Sequence, residues 1–286
     1  MADYAHRSYL YVPAHQPERI GKAYRSAADA VVLDLEDAVP AGQKDRAREV
    51  AADTLAKQPP KSTYVRVNGL DTGRTEQDVI AVTGPHLAGL RLPKCQYPGE
   101  VRQVAEWLGE AGAAAGVYPL LESALGLENA FALATAHPAV GGILLGEVDL
   151  GSDLGAVHQS IMDYARSRCV TAARAARLPN PVQAVYSAIG DEDGLRSSCE
   201  HGKACGFFGR SAVHPSQLPV INEVFTPTSD EIADAEALLA ELADVSAQGQ
   251  GAAIRRDGQF IDRAGARAAR RVLDRAATSS KPMEES

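Results

Sequence analysis

Three carboxylates crowd into four residues at Asp34, Glu36 and Asp37, directly after the apolar run Val31-Val32-Leu33. Such a cluster repels itself unless solvent, hydrogen-bond donors or a cation compensates. The pattern of an apolar run ending in polar residues recurs down the chain. Arg66 and Asn68 follow Tyr64-Val65, Arg91 and Lys94 flank Leu92-Pro93, and Glu122 follows Val117-Tyr118-Pro119-Leu120-Leu121. Glu147 and Asp149 follow Ile143-Leu144-Leu145, and Tyr186 and His214 close the series. The set has a theme: carboxylates that could hold a cation, and cations that could hold an anion.

Glu122 and Asp149 end successive apolar runs. If those runs are neighbouring strands, their carboxylates converge, and two oxygen ligands with water and a chelating substrate suit octahedral Mg2+. The competing role for both is capping the helix that follows. Arg66 is costly inside a buried strand unless paired. It could pair with Glu36 or Asp37, or fork onto a substrate carboxylate or carbonyl oxygen. Lys94 could serve the same anion or neutralise the acidic ring. His214 is a base or a structural hydrogen-bonder. There is no HxH or HExxH spacing for zinc hydrolysis and no GxSxG nucleophile turn.

Positioning these groups requires a scaffold of strand ends. Strand-like runs begin near Ser8, Ala30, Thr63, Gly89, Gly116, Gly142, Val182 and Gly206. Helical patterns lie between them, for example Ala105 to Ala115 and Ile161 to Arg177. Strands alternating with helices predict parallel βα units. Eight such units over 286 residues predict an α/β fold, a (β/α)8 TIM barrel, with its active site at the C-terminal strand ends. A doubly wound open sheet is the alternative, but no GxGxxG turn follows the first strand. Beyond residue 224 the pattern becomes helical. Thr228 and Glu231 have capping-box spacing, Ser246 to Gly251 reads as a flexible loop, Ala264 to Ala277 as a last helix, and Ser279 to Ser286 as a frayed tail. The expected division is a barrel over 1–224 and a C-terminal helical extension over 225–286.

Composition bounds the function. The formal charge of −8 argues against nonspecific nucleic-acid or anionic-membrane binding, although a local basic pocket for a small anion remains compatible with it. No signal-peptide core or membrane-length apolar segment is present, so the chain reads as soluble and cytosolic. Cys95, Cys169, Cys199 and Cys205 form no CxxC pair and read as ordinary reduced cysteines.

The segments VVLDLEDAV, YVRVN, RLPK, LLES, the Gly146-x-x-Asp149-Leu150 turn and AVHPSQ occur in an order that resembles the citrate lyase β-subunit-like family. That family belongs to the HpcH/HpaI aldolase superfamily, with malyl-CoA and citramalyl-CoA lyases. The resemblance runs from about Ser8 to Asp262. It implies a Mg2+-binding barrel, usually a homotrimer, that cleaves a 3-hydroxyacyl-CoA into an acyl-CoA and a 2-keto acid. It implies that Glu122 and Asp149 hold the metal and that Arg66 contacts the keto-acid oxygen or carboxylate. Glu36 and Asp37 would order water and cations around that metal, and Arg19 would bind CoA. Asp262 would be the acid/base that the C-terminal segment donates to a neighbouring subunit. Its plainer role is a solvated acid before a helix.

The chain departs from the family pattern in three places. Glu147 stands where relatives usually carry a small residue and Val148 where they carry an acidic or small one, in a turn whose backbone amides hold the substrate carboxylate; a glutamate there repels it unless the side chain points outward. Asp262 is followed by Arg263-Ala264-Gly265, and Arg255-Arg256-Asp257 replaces a more apolar segment. Three alternatives therefore stand beside the lyase: a CoA-independent pyruvate or keto-acid aldolase, a non-catalytic keto-acid-binding barrel favoured by Glu147, and a subunit served by an acyl-carrier partner.

Overall fold

A computed structural model describes residues 6–156, 158–247, 252–255 and 260–279. The chain divides into two compact units, Met1–Glu223 and Val224–Ser286. The first unit carries the parallel strands β1 (Ser8–Pro13), β2 (Ala30–Asp34), β3 (Ser62–Arg66), β4 (Leu87–Leu92), β5 (Gly116–Leu121), β6 (Leu144–Leu145), β7 (Val182–Gln183) and β8 (Gly209–Ala212). Their order is β6-β5-β4-β3-β2-β1-β8-β7. β1 pairs with both β2 and β8, so the first strand joins the last, which rules out the doubly wound alternative. β6 and β7 lie side by side without a hydrogen-bonded ladder between them. The result is a nearly closed (β/α)8 barrel surrounded by helices.

β2 is buried along its whole length, as its β-branched run requires with both faces covered. Inside the barrel, Tyr9, Tyr64 and Tyr118 pack edge to face at 5.4 and 5.6 Å. Above them sits Arg91, only 1% exposed. Its guanidinium lies 4.6 Å from the Tyr9 ring and 5.1 Å from the Tyr11 ring. It donates to Tyr11 Oη at 2.8 Å and Ser211 Oγ at 3.1 Å.

Several element boundaries shift from the sequence expectation, and two of the shifts have a clear local cause. The helix expected over Ala105 to Ala115 runs Pro98–Glu110. Pro98 starts it, and Glu100 caps it by accepting from the Tyr97 backbone N–H. It stops because Gly112 adopts φ +80°, which lets the Ala113 N–H reach back to Leu108 O. The last strand begins at Gly209, not Gly206; Gly206 takes φ +100° and terminates the helix Glu192–Cys205.

In the second unit, the helices Ser229–Ala247 and Arg263–Ser279 bury Ala235, Leu238, Leu242, Ile261, Ala266 and Ala269 together. Thr228 and Glu231 form the expected reciprocal cap, at 2.8 and 3.1 Å. The expected loop from Ser246 is helical through Ala247; residues 248–251 lie outside the described residues, as does the expected tail beyond Ser279. β9 (Ala253–Ile254) and β10 (Phe260–Ile261) form an antiparallel pair. Arg255 is anchored to Asp234 at 2.7 Å and Glu241 at 3.3 Å, while Arg256 and Asp257 lie outside the described residues. Among the described residues no helix is long and apolar enough to cross a membrane.

Candidate active site

The C-terminal ends of all eight strands surround one cavity of about 320 Å³. Tyr11, Arg66, Arg91, Glu122 and Asp149 all reach it from different strands or the loops after them. This is the barrel face where the alternation of apolar strand and polar cluster placed the chemistry.

The acidic cluster is held by cations. Asp34 and Arg66 are register partners across β2 and β3, and their side chains form a fork, Nε–Oδ1 and Nη2–Oδ2 both at 2.7 Å. Asp34 is 1% exposed and also accepts the backbone N–H groups of Glu36 and Ala38, each at 3.0 Å. Arg66 Nη1 reaches Glu36 at 3.0 Å and Asp37 at 3.3 Å. The partner of Arg66 is therefore chiefly Asp34, with Glu36 and Asp37 at its outer edge. Lys44 Nζ pins the same turn from behind through Leu35 O and Glu36 O. Burial pushes the Glu36 carboxyl up, and Asp37 adds to the shift, while Arg66 and Lys94 oppose it.

Lys94 Nζ pairs with Glu36 at 3.0 Å, and its backbone N–H donates to Glu122 Oε1. It adopts φ +53°, a left-handed conformation that costs a non-glycine residue on the order of 1 kcal/mol. Glu122 follows β5 and is 5% exposed. Burial, with the charges of Glu36 and Asp149, pushes its carboxyl up to about 7. Gly146 makes room for it: a Cβ there would lie 2.6 Å from Glu122 Oε2. Asp149 is exposed to the cavity in the first turn of the helix Glu147–Leu154.

Glu147 and Val148 open that helix. Val148 is 60% exposed at the cavity rim. The Glu147 carboxylate is forked onto Arg166, with Nε–Oε1 at 3.0 Å and a second contact between Nη2 and Oε2. Arg166 in turn meets Asp163 at 2.9 Å, one turn away on the helix Gln159–Ala175. The negative charge that would repel a substrate carboxylate is thus neutralised.

The remaining candidates are dispersed. Arg19 is exposed in the first turn of the helix Pro17–Tyr24, which follows β1. His214 Nδ1 accepts from the Ser216 N–H and caps the 3-10 turn Pro215–Gln217, which is its structural role. Asn68 is spent on Asp78 through its amide and its backbone N–H. Asp262 belongs to the second unit. It precedes the helix Arg263–Ser279 and accepts from the backbone N–H groups of Gly265 and Ala264, which hold its carboxyl below the usual range.

A family model described as HpcH/HpaI aldolase/citrate lyase matches residues 7–215. The chain belongs to this family. It is 37% identical over 283 residues to a (3S)-malyl-CoA thioesterase of Cereibacter sphaeroides, covering 96% of this chain and 97% of that protein. It is 30% identical over 280 residues to citrate lyase subunit beta of Leuconostoc mesenteroides subsp. cremoris, covering 93% and 92%. Among solved structures, CitE from Mycobacterium tuberculosis in complex with magnesium, acetoacetate and coenzyme A matches with a TM-score of 0.81 at 31% identity, over 96% of this chain and 99% of that one. A citrate lyase beta subunit from Mycobacterium tuberculosis complexed with oxaloacetate and magnesium matches with a TM-score of 0.69 at 32% identity, over 78% of this chain and 98% of that one.

The donor set of this HpcH/HpaI aldolase/citrate lyase barrel fits a hard divalent cation. Glu122 and Asp149 are oxygen donors, Glu122 resists ionisation in the cation-free site, and the space beside it exists only because residue 146 lacks a side chain. Lys44, Tyr11 and Arg166 were not singled out from sequence. Tyr11 has a readable signal, since it alternates with buried residues of β1; Lys44 and Arg166 look like ordinary helix-surface cations.

Proposed function

We propose that the protein is a Mg2+-dependent carbon–carbon lyase of the oxo-acid-lyase type, acting on a 3-hydroxyacyl-CoA of the malyl-CoA or citramalyl-CoA kind. The observation that carries this is the convergence of Glu122 and Asp149 with the cations Arg66 and Arg91 in one cavity. The relatives agree with the ligand classes: one is named for malyl-CoA, and CitE was solved with acetoacetate and coenzyme A and with pyruvate.

In cleavage, the 3-hydroxyl gives its proton to solvent and the bond between the hydroxyl-bearing carbon and the thioester α-carbon breaks. The electron pair becomes an enolate, which is protonated at carbon. Glu122 and Asp149 are assigned to Mg2+, which supplies Lewis-acid stabilisation of the developing charge. Arg66 orients the keto-acid oxygens through Nη1. Its contact to the half-exposed Asp37 is the longest in its ionic network and yields first to an incoming anion. Glu36 and Asp37 fix Lys94 and Arg66 around the metal. Val148 and the backbone of its turn receive the substrate carboxylate, with Glu147 turned onto Arg166. Arg19 is assigned to the CoA phosphates. Asp262, donated by a neighbouring subunit of a homotrimer, moves the proton at the thioester α-carbon.

The decisive experiment is incubation with malyl-CoA and citramalyl-CoA in Mg2+, resolving products. Acetyl-CoA with glyoxylate or pyruvate supports the lyase; no turnover of either sinks it. A second activity, thioester hydrolysis, is favoured by the name of the 37% identical relative, and would release free CoA with the intact hydroxy acid. Against hydrolysis through a cysteine or a histidine-activated serine, the described residues that line the cavity include no cysteine and no histidine, and its Ser211 accepts from Arg91.

A further inference from the structure

Behind the barrel wall, the helices Gln159–Ala175 and Glu192–Cys205 bring together three groups outside the cavity: Asp163, His201 and Cys205. His201 and Cys205 are four residues apart and therefore share one helix face. Asp163 Oδ1 lies 2.7 Å from His201 Nε2, and Cys205 Sγ lies 3.6 Å from the same nitrogen. One ligand atom from each residue falls within 4.8 Å of the others. The Gln159 amide is 3.1 Å from both Asp163 Oδ1 and His201 Nε2 and closes one side.

We infer that Asp163, His201 and Cys205 form a second cation site, selective for Zn2+ over Mg2+, with solvent completing the coordination. The spacing suits the ion: Zn–S of ~2.3 Å and Zn–N of ~2.0 Å at a tetrahedral angle put sulfur and nitrogen ~3.5 Å apart. A thiolate, an imidazole and a carboxylate are a borderline-soft set, whereas the barrel mouth offers only oxygen, so the two cations sort by chemistry. Binding releases the Cys205 thiol proton to solvent, and the two anionic ligands neutralise the dication. The side chains of Asp163 and His201 are 36% and 42% exposed, so the ion has an entry path. Cys95, Cys169 and Cys199 are buried and do not compete. Asp163 is also free to turn toward the cation, because Arg166 keeps its fork on Glu147 when it gives up Asp163.

The test is a Co2+ titration of the full-length protein in saturating Mg2+. One equivalent of Co2+ is expected to produce a near-ultraviolet thiolate-to-cobalt absorption and tetrahedral visible bands that Zn2+ abolishes. Cys205→Ser, with its helical circular dichroism intact, is expected to lose the thiolate band, and His201→Ala to weaken binding at least about 10-fold. No thiolate band in wild type, or a band that persists in Cys205→Ser, overturns the site. In the unaltered protein, Zn2+ must also slow alkylation of Cys205 as mapped by peptide mass; an unchanged rate overturns it even if the variants fail to fold.

Discussion

Asp34 and Arg66 are joined twice, as register partners of adjacent strands and as a two-point fork with both contacts at 2.7 Å. The fork fixes the guanidinium at the cavity wall, so the nearly fully buried Asp34 holds Arg66 in place. Asp34→Asn is expected to destabilise the barrel by about 3 kcal/mol, the usual cost of stranding one partner of a buried pair. It should also raise KM for the keto-acid-bearing substrate. Urea unfolding alongside steady-state kinetics checks both; unchanged stability would remove the orienting role.

Glu122 yields a pH prediction. Its carboxyl is raised from 4.5 to about 7 in the fold, chiefly by burial. A raised pKa means that its stabilising contribution is complete below about pH 4.5 and is lost as pH climbs through about 7. The loss is on the order of 3 kcal/mol in the metal-free protein. Glu122→Gln should abolish this component. Mg2+ should raise Tm more at pH 8 than at pH 6, because at pH 6 it must displace a proton. Equal Mg2+ increments at both pH values in wild type contradict the assignment.

Gly146→Ala tests how closely that carboxylate is housed. The added carbon would meet Glu122 Oε2 at 2.6 Å and Glu122 Cβ at 2.7 Å, forcing the proposed metal ligand aside. An ångström-scale displacement of a catalytic group costs about 100-fold in rate. The expected result is a fall of that order in kcat/KM with a right-shifted Mg2+ activation curve and unchanged circular dichroism. Wild-type Mg2+ dependence would place the metal elsewhere.

Arg166→Ala strands the Glu147 carboxylate two residues from Asp149 in the same helical turn. We expect a loss of about 3 kcal/mol and a raised KM for the anionic substrate. Removing both partners should cost less than the sum of the single changes, with a coupling of about 1–3 kcal/mol in a double-mutant cycle on urea stability. Simple additivity would show that the pair does not shield the site.

The barrel and most of the mouth residues are legible because each strand announces itself by a short apolar run and the candidate polar groups lie at its end or just past it. The charge partnerships are not. Pairing Arg66 with Asp34 depends on the register between β2 and β3, and nothing within either strand states that register. The fork between Glu147 and Arg166 depends on one helix crossing another. Glu147 looked hostile to an anionic substrate for that reason alone. The helix over Pro98–Glu110 was misplaced because alanine-rich residues past it favour a helix locally, while Gly112 at φ +80° ends it.

The gap in the ladder between β6 and β7 sets where the barrel breathes. Those strands are two residues long, and neither stitches to the other, whereas β1 to β4 are anchored by ladders on both sides. Local opening is cheapest where backbone hydrogen bonds are fewest. The segment that follows β6 carries Gly146, Glu147 and Asp149, so of the two proposed metal ligands Asp149 rides on the softest wall, while Glu122 follows β5, which is laddered on both sides. Amides around β6 and β7 should exchange with deuterium ahead of those in β2 and β3. A cation bridging Glu122 to Asp149 would act as the missing rung, stiffening the seam each time it binds.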